Sequence, residues 1–367
     1  MQINILGTRG VPANHGGFET FAARLAPYLC SQGHKVVVYC QPQQGPVNTW
    51  REDRWNAVHR RHLRPRSNGA RATMAFDLAC ARDVLKQPGV DLVLGYNTAV
   101  FNMIGRIAGR RIYMNMDGIE WRRAKWPVSA KIWFYLNEVA GANLSHVAIA
   151  DHPEIAAHLA RRSFRPPVVI PYGADKITSA PLSPLRALGL APQSYLISIA
   201  RVEPENSILE IVQAYSRLET KVKLVILGTL EDSNPYHRAV RAAAPPGVIF
   251  AGAIYDGETV SALRYHSRAY LHGHQVGGTN PSLVESLGAG NAVIAHDNRF
   301  NRWTAGPGQF FFSDVASATA RMRLVIQNTP RVENARAAAY KRHAQDFRWP
   351  TVLAAYERLL TRATPDT

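Results

Sequence analysis

The chain has 367 residues, with 43 Lys or Arg against 27 Asp or Glu, a formal net charge of +16 and a hydrophobic fraction of 46%. That length fits two domains, and the composition excludes a disordered chain, a collagen-like repeat and a disulfide-stapled miniprotein. No window approaches the roughly 18 apolar residues that span a bilayer, and MQINILGTRG has no signal-peptide pattern, so a soluble cytoplasmic protein is expected.

Short β-branched runs alternate with helix-period segments, the pattern of α/β layering with parallel sheets. In the first half, strands are predicted at 3–6, 35–39, 91–94, 111–116, 146–149 and 168–170, and six suffice for one doubly wound sheet. A second series follows at 195–200, 223–227, 248–250, 269–271, 292–295 and 309–312. Between them Pro171, Gly173, Pro181, Pro184 and Pro192 break the periodicity as a linker does. The boundary is placed near Asp175, giving an N-terminal domain over 1–175 and a C-terminal domain over 176–349. Helical segments are predicted at about 314–328, 332–346 and 350–362; the last, taken as 350–367, is expected to pack back onto the first domain. Cys30, Cys40 and Cys80 form no C-x-x-C and read as buried structural thiols.

Several chemistries lack their anchor. There is no G-x-x-x-x-G-K-[ST], H-E-x-x-H, G-x-S-x-G or paired C-x-x-C, and no two Asp separated by one residue. What remains is phosphate handling by backbone. GTRGVPANHGGFETF sets Gly7, Gly10, Gly16 and Gly17 ahead of a helix starting near Phe18, where N–H groups and the helix dipole can meet an anion, although such turns also serve packing alone. Pro27 is predicted to kink that helix.

Residues 51–71 carry Arg51, Arg54, Arg60, Arg61, Arg64, Arg66 and Arg71, read either as a solvated loop leading into a basic helix start or as a surface for anionic lipid. YMNMDGIEWRRAKW puts Asp117 directly after a strand, as a ligand-facing acid or a plain Asx turn. Arg122, Arg123 and Lys125, interleaved with Trp121 and Trp126, also suit a nucleic-acid face. In the second half, ISIARVEPENSILEIVQAY sets Arg201 at the carboxyl end of a strand, where open α/β sheets bind ligands, and Ser207 with Glu210 matches a capping box. In YLHGHQVGGTNPSLVESLGAGNAVIAHD, Asn280 is the predicted N-cap and Pro281 the first helical residue. The helix 281–287 then aims its free N–H groups beyond Gly277 and Gly278, with Glu285 as a hydroxyl acceptor. His272 and His274 are expected to alternate faces along a strand, so that at most one meets a ligand.

Together these segments resemble the GT-B glycosyltransferases of family 4. GTRGVPANHGGFETF, DGIEWRRAKW, RVEPEN and HGHQVGGTNPSLVES resemble more closely the bacterial branch that includes the rhamnosyltransferases of capsule and exopolysaccharide assembly. The resemblance implies an α/β GT-B fold of two tandem Rossmann-like domains whose parallel sheets face a central cleft. It implies that Gly16 and Gly17 contact the donor diphosphate and that Arg201 neutralises it. Asn206, Thr279, Asn280 and Ser282 fall on the donor side, and Glu285 accepts from the ribose hydroxyls. Asp117 stands where the family places a His or an acid beside the donor sugar, a catalytic position with Arg201; Glu19, Glu120 and Trp121 fall on the acceptor side.

The implied activity is retaining transfer of a sugar from a nucleotide sugar to a hydroxyl of a lipid-linked glycan, the departing phosphate taking the acceptor proton. L-Rhamnose from dTDP-rhamnose is the expected donor, another hexose the alternative. No metal or other cofactor is expected. The basic first domain would then hold the protein peripherally on the inner face of the cytoplasmic membrane. The charge points to lipid more than to nucleic acid, with a nucleic-acid or polyanion-binding protein as the rival class and a sugar-nucleotide hydrolase or epimerase as a further one. Three positions depart from the family pattern: Asn206 replaces a Lys, Gly277 replaces the first of a pair of Glu, and Trp303 stands where an acidic residue is expected at an acceptor or interdomain contact.

Overall fold

The computed structural model describes residues 1–13, 16–123 and 125–362. The chain divides into two compact units, Met1–Pro171 joined by the C-terminal helix from Pro350, and Tyr172–Trp349. The division falls a few residues before Asp175.

The first unit runs β1 (Gln2–Leu6), α1 (Gly17–Ser31), β2 (Lys35–Cys40), β3 (Arg51–Trp55), β4 (Val58–His62), α2 (Gly69–Asp83), β5 (Val90–Leu94), α3 (Asn102–Ile107), β6 (Ile112–Asn115), α4 (Val128–Leu144), β7 (Val147–Ala150), α5 (Pro153–Ala160) and β8 (Val168–Val169). Its sheet has the order β3-β4-β2-β1-β5-β6-β7-β8, parallel throughout except for the β3/β4 pair. Val36–Cys40 is buried without a break, the continuous apolar run of a central parallel strand covered on both faces. In α1, Phe21, Ala22, Leu25, Ala26 and Leu29 form the buried face, and Pro27 lies within the helix.

The sheet has eight strands where six were expected, because residues 51–62 form a hairpin and not a loop. Trp55 pairs with Val58 across a two-residue turn in which Asn56 and Ala57 have φ of 44° and 65°, the left-handed pair that matches the strands' twist. The charges form a cross-strand ladder: Asp53 lies opposite Arg60 and accepts two hydrogen bonds from it at 2.6 Å, and Glu52 lies opposite Arg61 and pairs with it. Arg61 also donates to the buried Asp83 at 2.9 Å.

The second unit runs α6 (Ser183–Ala187), β9 (Tyr195–Ile199), α7 (Ile208–Ser216), β10 (Lys223–Leu227), α8 (Pro235–Ala242), β11 (Val248–Gly252), α9 (Gly257–Tyr265), β12 (Ala269–His272), α10 (Pro281–Gly288), β13 (Val293–His296), α11 (Arg299–Ala305), β14 (Phe310–Phe312), α12 (Val315–Gln327) and α13 (Thr329–Asp346). Its all-parallel order, β11-β10-β9-β12-β13-β14, is the 3-2-1-4-5-6 order of a dinucleotide-type sheet. The order reverses between β9 and β12, so the loops after these two strands flank the crevice where such sheets bind ligands.

Helix α14 (Trp349–Thr361) closes the chain. It packs on the first unit: the Tyr28 hydroxyl donates to Glu357 at 2.7 Å, Asn115 donates to the Tyr356 hydroxyl at 2.8 Å, and the Phe21 and Tyr356 rings lie 4.7 Å apart. Residues 363–367 of the expected last helix lie outside the described residues.

Candidate functional site

The second unit's switch point is built from two loops tied to each other. After β9 the chain passes Arg201, makes one 3-10 turn over Pro204–Asn206 and enters α7 through Ser207, which has a φ of 51°. The capping box expected from Ser207 and Glu210 does not form, because Ser207 sits in the left-handed region with no side-chain cap bond. Its hydroxyl instead donates to the Gly273 carbonyl at 2.8 Å and accepts from Gln275 at 3.0 Å, joining the loop after β9 to the loop after β12. A Cβ at Gly273 would run into the Asn206 carbonyl, so this approach requires glycine. Asn206 itself is buried and donates to the Arg201 carbonyl at 2.8 Å. It braces the main chain of Arg201, whose side chain is 60% exposed and 3.2 Å from Glu203.

Helix α10 starts on the far side of the crevice. Asn280 accepts from the Ser282 N–H at 3.0 Å and Pro281 takes the first turn, where its missing N–H costs nothing. Gly277 has a φ of 137°, with open space beside it, and Thr279 is buried.

Beneath this helix lies a polar cluster that sequence reasoning missed. Arg264 of α9, 6% exposed, donates to Glu285 at 2.6 Å and to the Ser282 hydroxyl at 3.1 Å. Ser282 and Tyr270 hydroxyls lie 2.8 Å apart, and burial pushes the Tyr270 phenol up to about 12. Glu285, its side chain 36% exposed, is therefore held by a buried guanidinium. A signal was present: Val260 and Arg264 are four apart, which puts the Arg on the apolar face of α9.

The histidines do not alternate as expected. Residues i and i+2 of an extended chain lie on one face, and the two rings stack 4.3 Å apart at 12°. His272 is fully buried, and desolvation, with the His274 and His296 rings adding to it, holds its imidazole far below the usual range and neutral.

In the first unit, Gly16 and Gly17 are exposed at the start of α1; Asn14 and His15 of the same motif lie outside the described residues. A Cβ at Gly16 would meet the Glu19 carboxylate. Glu19 accepts from the Arg9 N–H at 2.9 Å and so holds the loop after β1. It also lines a cavity of about 700 Å³ at the carboxyl ends of β1, β2 and β4, with Arg9, Arg60, His62, Arg64 and the first turn of α2. Arg60 is neutralised by Asp53, whereas Arg64 donates only to the Gly45 carbonyl at 3.0 Å and Arg9 has no ion-pair partner among the described residues.

Asp117 follows β6 with a φ of 55°, and its N–H bonds to the Asn115 side chain at 3.1 Å. Desolvation, reinforced by the neighbouring Glu120 and opposed by the Gly118 N–H and the Arg123 cation, pushes its carboxyl up to about 6. Glu120 and Trp121 serve other groups. Glu120 accepts from Arg123 at 2.7 Å and from the Trp126 indole at 3.1 Å, and Trp121 donates to buried Glu138 at 2.9 Å. Arg123 and the two indole N–H groups are thus engaged inside the unit, while Arg122 and Lys125 stay exposed. Trp303 packs edge-on to Phe347 at 5.7 Å under Arg342, a packing role where an acid was expected. Among the described residues, no group of three His, Cys, Asp or Glu could hold a metal ion, and no helix is long and apolar enough to cross a membrane.

Residues 1–175 match a domain of unknown function (DUF1972), and residues 188–342 match the glycosyl transferases group 1. No curated protein sequence matches the chain. Among solved structures, the chain is similar to a sucrose-phosphate synthase from Thermosynechococcus elongatus at 15% identity, covering 98% of each chain with a TM-score of 0.79. It is similar to an α,α-trehalose-phosphate synthase (UDP-forming) from Burkholderia xenovorans in complex with glucose-6-phosphate, at 11% identity, 99% and 100% coverage and a TM-score of 0.77. It is also similar to Anabaena HepE in complex with UDP, at 15% identity, 98% and 100% coverage and a TM-score of 0.75. The chain thus has a two-domain GT-B-like fold, and its second unit carries the match to the glycosyl transferases group 1.

The narrower resemblance to family 4 and its rhamnosyltransferase branch is corrected by these findings, which relate the fold to trehalose- and sucrose-phosphate synthases. The segments that suggested the branch lie largely at strand ends and helix starts. Such junctions belong to the fold at large and carry no information about the sugar.

Proposed function

We propose that the second unit binds a nucleoside-diphosphate sugar and that the protein transfers its sugar, with retention of anomeric configuration, to a hydroxyl of an acceptor held by the first unit. The observation that carries this reading is the braced switch point: the N-terminus of α10 and the Arg201 side chain flank it, and Glu285 is fixed on buried Arg264. The diphosphate lies against the α10 N–H groups and Arg201, and the free oxygen of Glu285 accepts from the ribose hydroxyls. UDP, present in a structure of similar fold, is the first nucleotide to test.

In the reaction, the bond from the anomeric carbon to the diphosphate oxygen breaks as the bond to the acceptor oxygen forms on the same face. The acceptor proton passes to the departing phosphate. Negative charge grows on the diphosphate, and Arg201 with the helix dipole stabilises it, so rate enhancement comes from fixed electrostatics and positioning. Asp117, at the carboxyl edge of β6, takes a hydrogen bond from the donor sugar. The cavity at β1, β2 and β4 receives the acceptor, a lipid-linked glycan whose diphosphate meets Arg9 and Arg64.

Thermal unfolding with UDP, dTDP and GDP, followed by transfer assays with the matching sugars and lipid-diphosphate acceptors, tests the proposal. One nucleotide should raise Tm by an amount that grows with its concentration. A protein indifferent to all three refutes the donor site.

A further inference from the structure

A second surface of the first unit has no part in that chemistry. Helix α4 buries Asn137, Glu138, Gly141 and Ala142, yet turns a stripe of Val128, Ile132 and Leu136 to solvent, exposed by 73%, 56% and 57%. The stripe continues onto the neighbouring segment. The Val100 N–H bonds to Asn137 of α4 at 3.0 Å, and Val100, Met103 and Ile107, the last 82% exposed, face outward there. A soluble monomer rarely leaves so many large aliphatic side chains together in water.

The charge around this face is of one sign. Arg122, Lys125 and Lys131 have no acidic partner among the described residues; Arg122 and Lys125 lie 5.2 Å and 5.0 Å over the rings of Trp121 and Trp126. The two carboxylates of this stretch are withdrawn, Asp117 into a desolvated site and Glu120 onto Arg123 and Trp126. An apolar stripe rimmed by uncompensated cations is the pattern of a helix that lies in a bilayer interface. It does not suit a second copy of the chain, because a two-fold contact would set the same cations against each other.

We infer that the α3/α4 face docks on a bilayer carrying anionic phospholipid, its aliphatic stripe entering the headgroup boundary and Arg122, Lys125 and Lys131 meeting lipid phosphates. The inference moves the membrane contact away from residues 51–71, where Arg60 and Arg61 are consumed by Asp53, Glu52 and Asp83. It stands apart from the transfer reaction, and binding is read without donor or acceptor.

Cosedimentation of the full chain with vesicles of phosphatidylcholine containing about one third phosphatidylglycerol tests it, with pure phosphatidylcholine as the comparison. The wild type should sediment with the anionic vesicles only. The Ile132→Glu/Leu136→Glu variant should lose this binding, as should Ile107→Glu on the neighbouring helix, with unchanged unfolding curves. Arg122→Gln/Lys125→Gln/Lys131→Gln should need on the order of a hundredfold more lipid, at about fivefold per cation. Arg51→Gln/Arg54→Gln on the hairpin should bind as the wild type does. Wild type that stays in solution, binding that survives Ile132→Glu/Leu136→Glu, loss on the hairpin variant, or a concentration-dependent dimer that Ile132→Glu/Leu136→Glu abolishes overturns the inference. A Tm response to UDP in protein that ignores vesicles would leave the donor site standing and remove the docking face alone.

Discussion

The two units hold their candidate site residues in different ways. In the second, buried groups brace the switch point: Asn206 holds the Arg201 carbonyl, Ser207 ties the two loops, and Arg264 fixes Glu285 and Ser282. In the first, Arg9 and Arg64 line an open cavity with little behind them, and three further cations rim an apolar face. On the proposed function, a nucleoside diphosphate of one shape and charge suits a rigid cradle, and a lipid-linked glycan calls for long, loosely held side chains.

The largest test of that contrast is Glu285→Leu. It leaves Arg264 as an uncompensated charge at 6% exposure, whereas Arg264→Met leaves a Glu285 that water reaches. Loss of a buried ion's partner costs about 3–5 kcal/mol. Urea unfolding should place Glu285→Leu in that range and Arg264→Met below it; the reverse order would mean that the pair is not anchored from beneath. Next is Arg201→Ala. The side chain is exposed, so stability should change by no more than about 0.5 kcal/mol, while kcat/KM for transfer should fall by about 3 kcal/mol, a hundredfold or more. Unaltered turnover would take Arg201 out of the donor site.

Asp117→Asn brings the comparison to the first unit. A carboxyl whose pKa rises from 3.8 to about 6 on folding stabilises the fold when protonated, and that stability is lost as pH climbs from about 4 through 6. The Asn variant removes the loss, so its Tm should match the wild type near pH 4 and exceed it at pH 7, by no more than about 3 kcal/mol in stability. Transfer should fall at both pH values if Asp117 touches the donor sugar. Equal Tm differences at the two pH values would contradict a desolvated carboxyl.

The readable parts of the sequence were those whose signal is local. Asn280 and Pro281 name a helix start because a cap and a fixed φ are properties of adjacent residues, and β2 announces itself by an unbroken apolar run. Arg201 after β9 was legible for the same reason. Partners distant in sequence were not: Arg264 looks like a surface residue of α9 until Glu285 and Ser282 are brought over it, and Ser207 fits a capping box until Gly273 arrives to take its hydroxyl. The alternation of charge in REDRW and VHRRH reads as a solvated run, and only pairing of the two strands turns it into a ladder.

That hairpin also supplies the smallest effect. Two-residue turns of this hand favour Asn-Gly, because both central residues take positive φ and only glycine does so without a Cβ clash. This chain has Asn56 and Ala57, and at a φ of 65° the alanine holds a conformation that costs it about 1 kcal/mol relative to glycine, partly offset by glycine's greater freedom when unfolded. The missing Gly removes the usual turn signal, while the ion pairs Asp53–Arg60 and Glu52–Arg61 fix the register that the turn leaves weak. Ala57→Gly should therefore raise stability by about 0.5 kcal/mol in urea unfolding, with the register intact. Combined with Asp53→Asn/Glu52→Gln, it should recover part of what the lost ladder costs. A destabilised single variant would show that the turn, and not the charge ladder, already holds these strands in place.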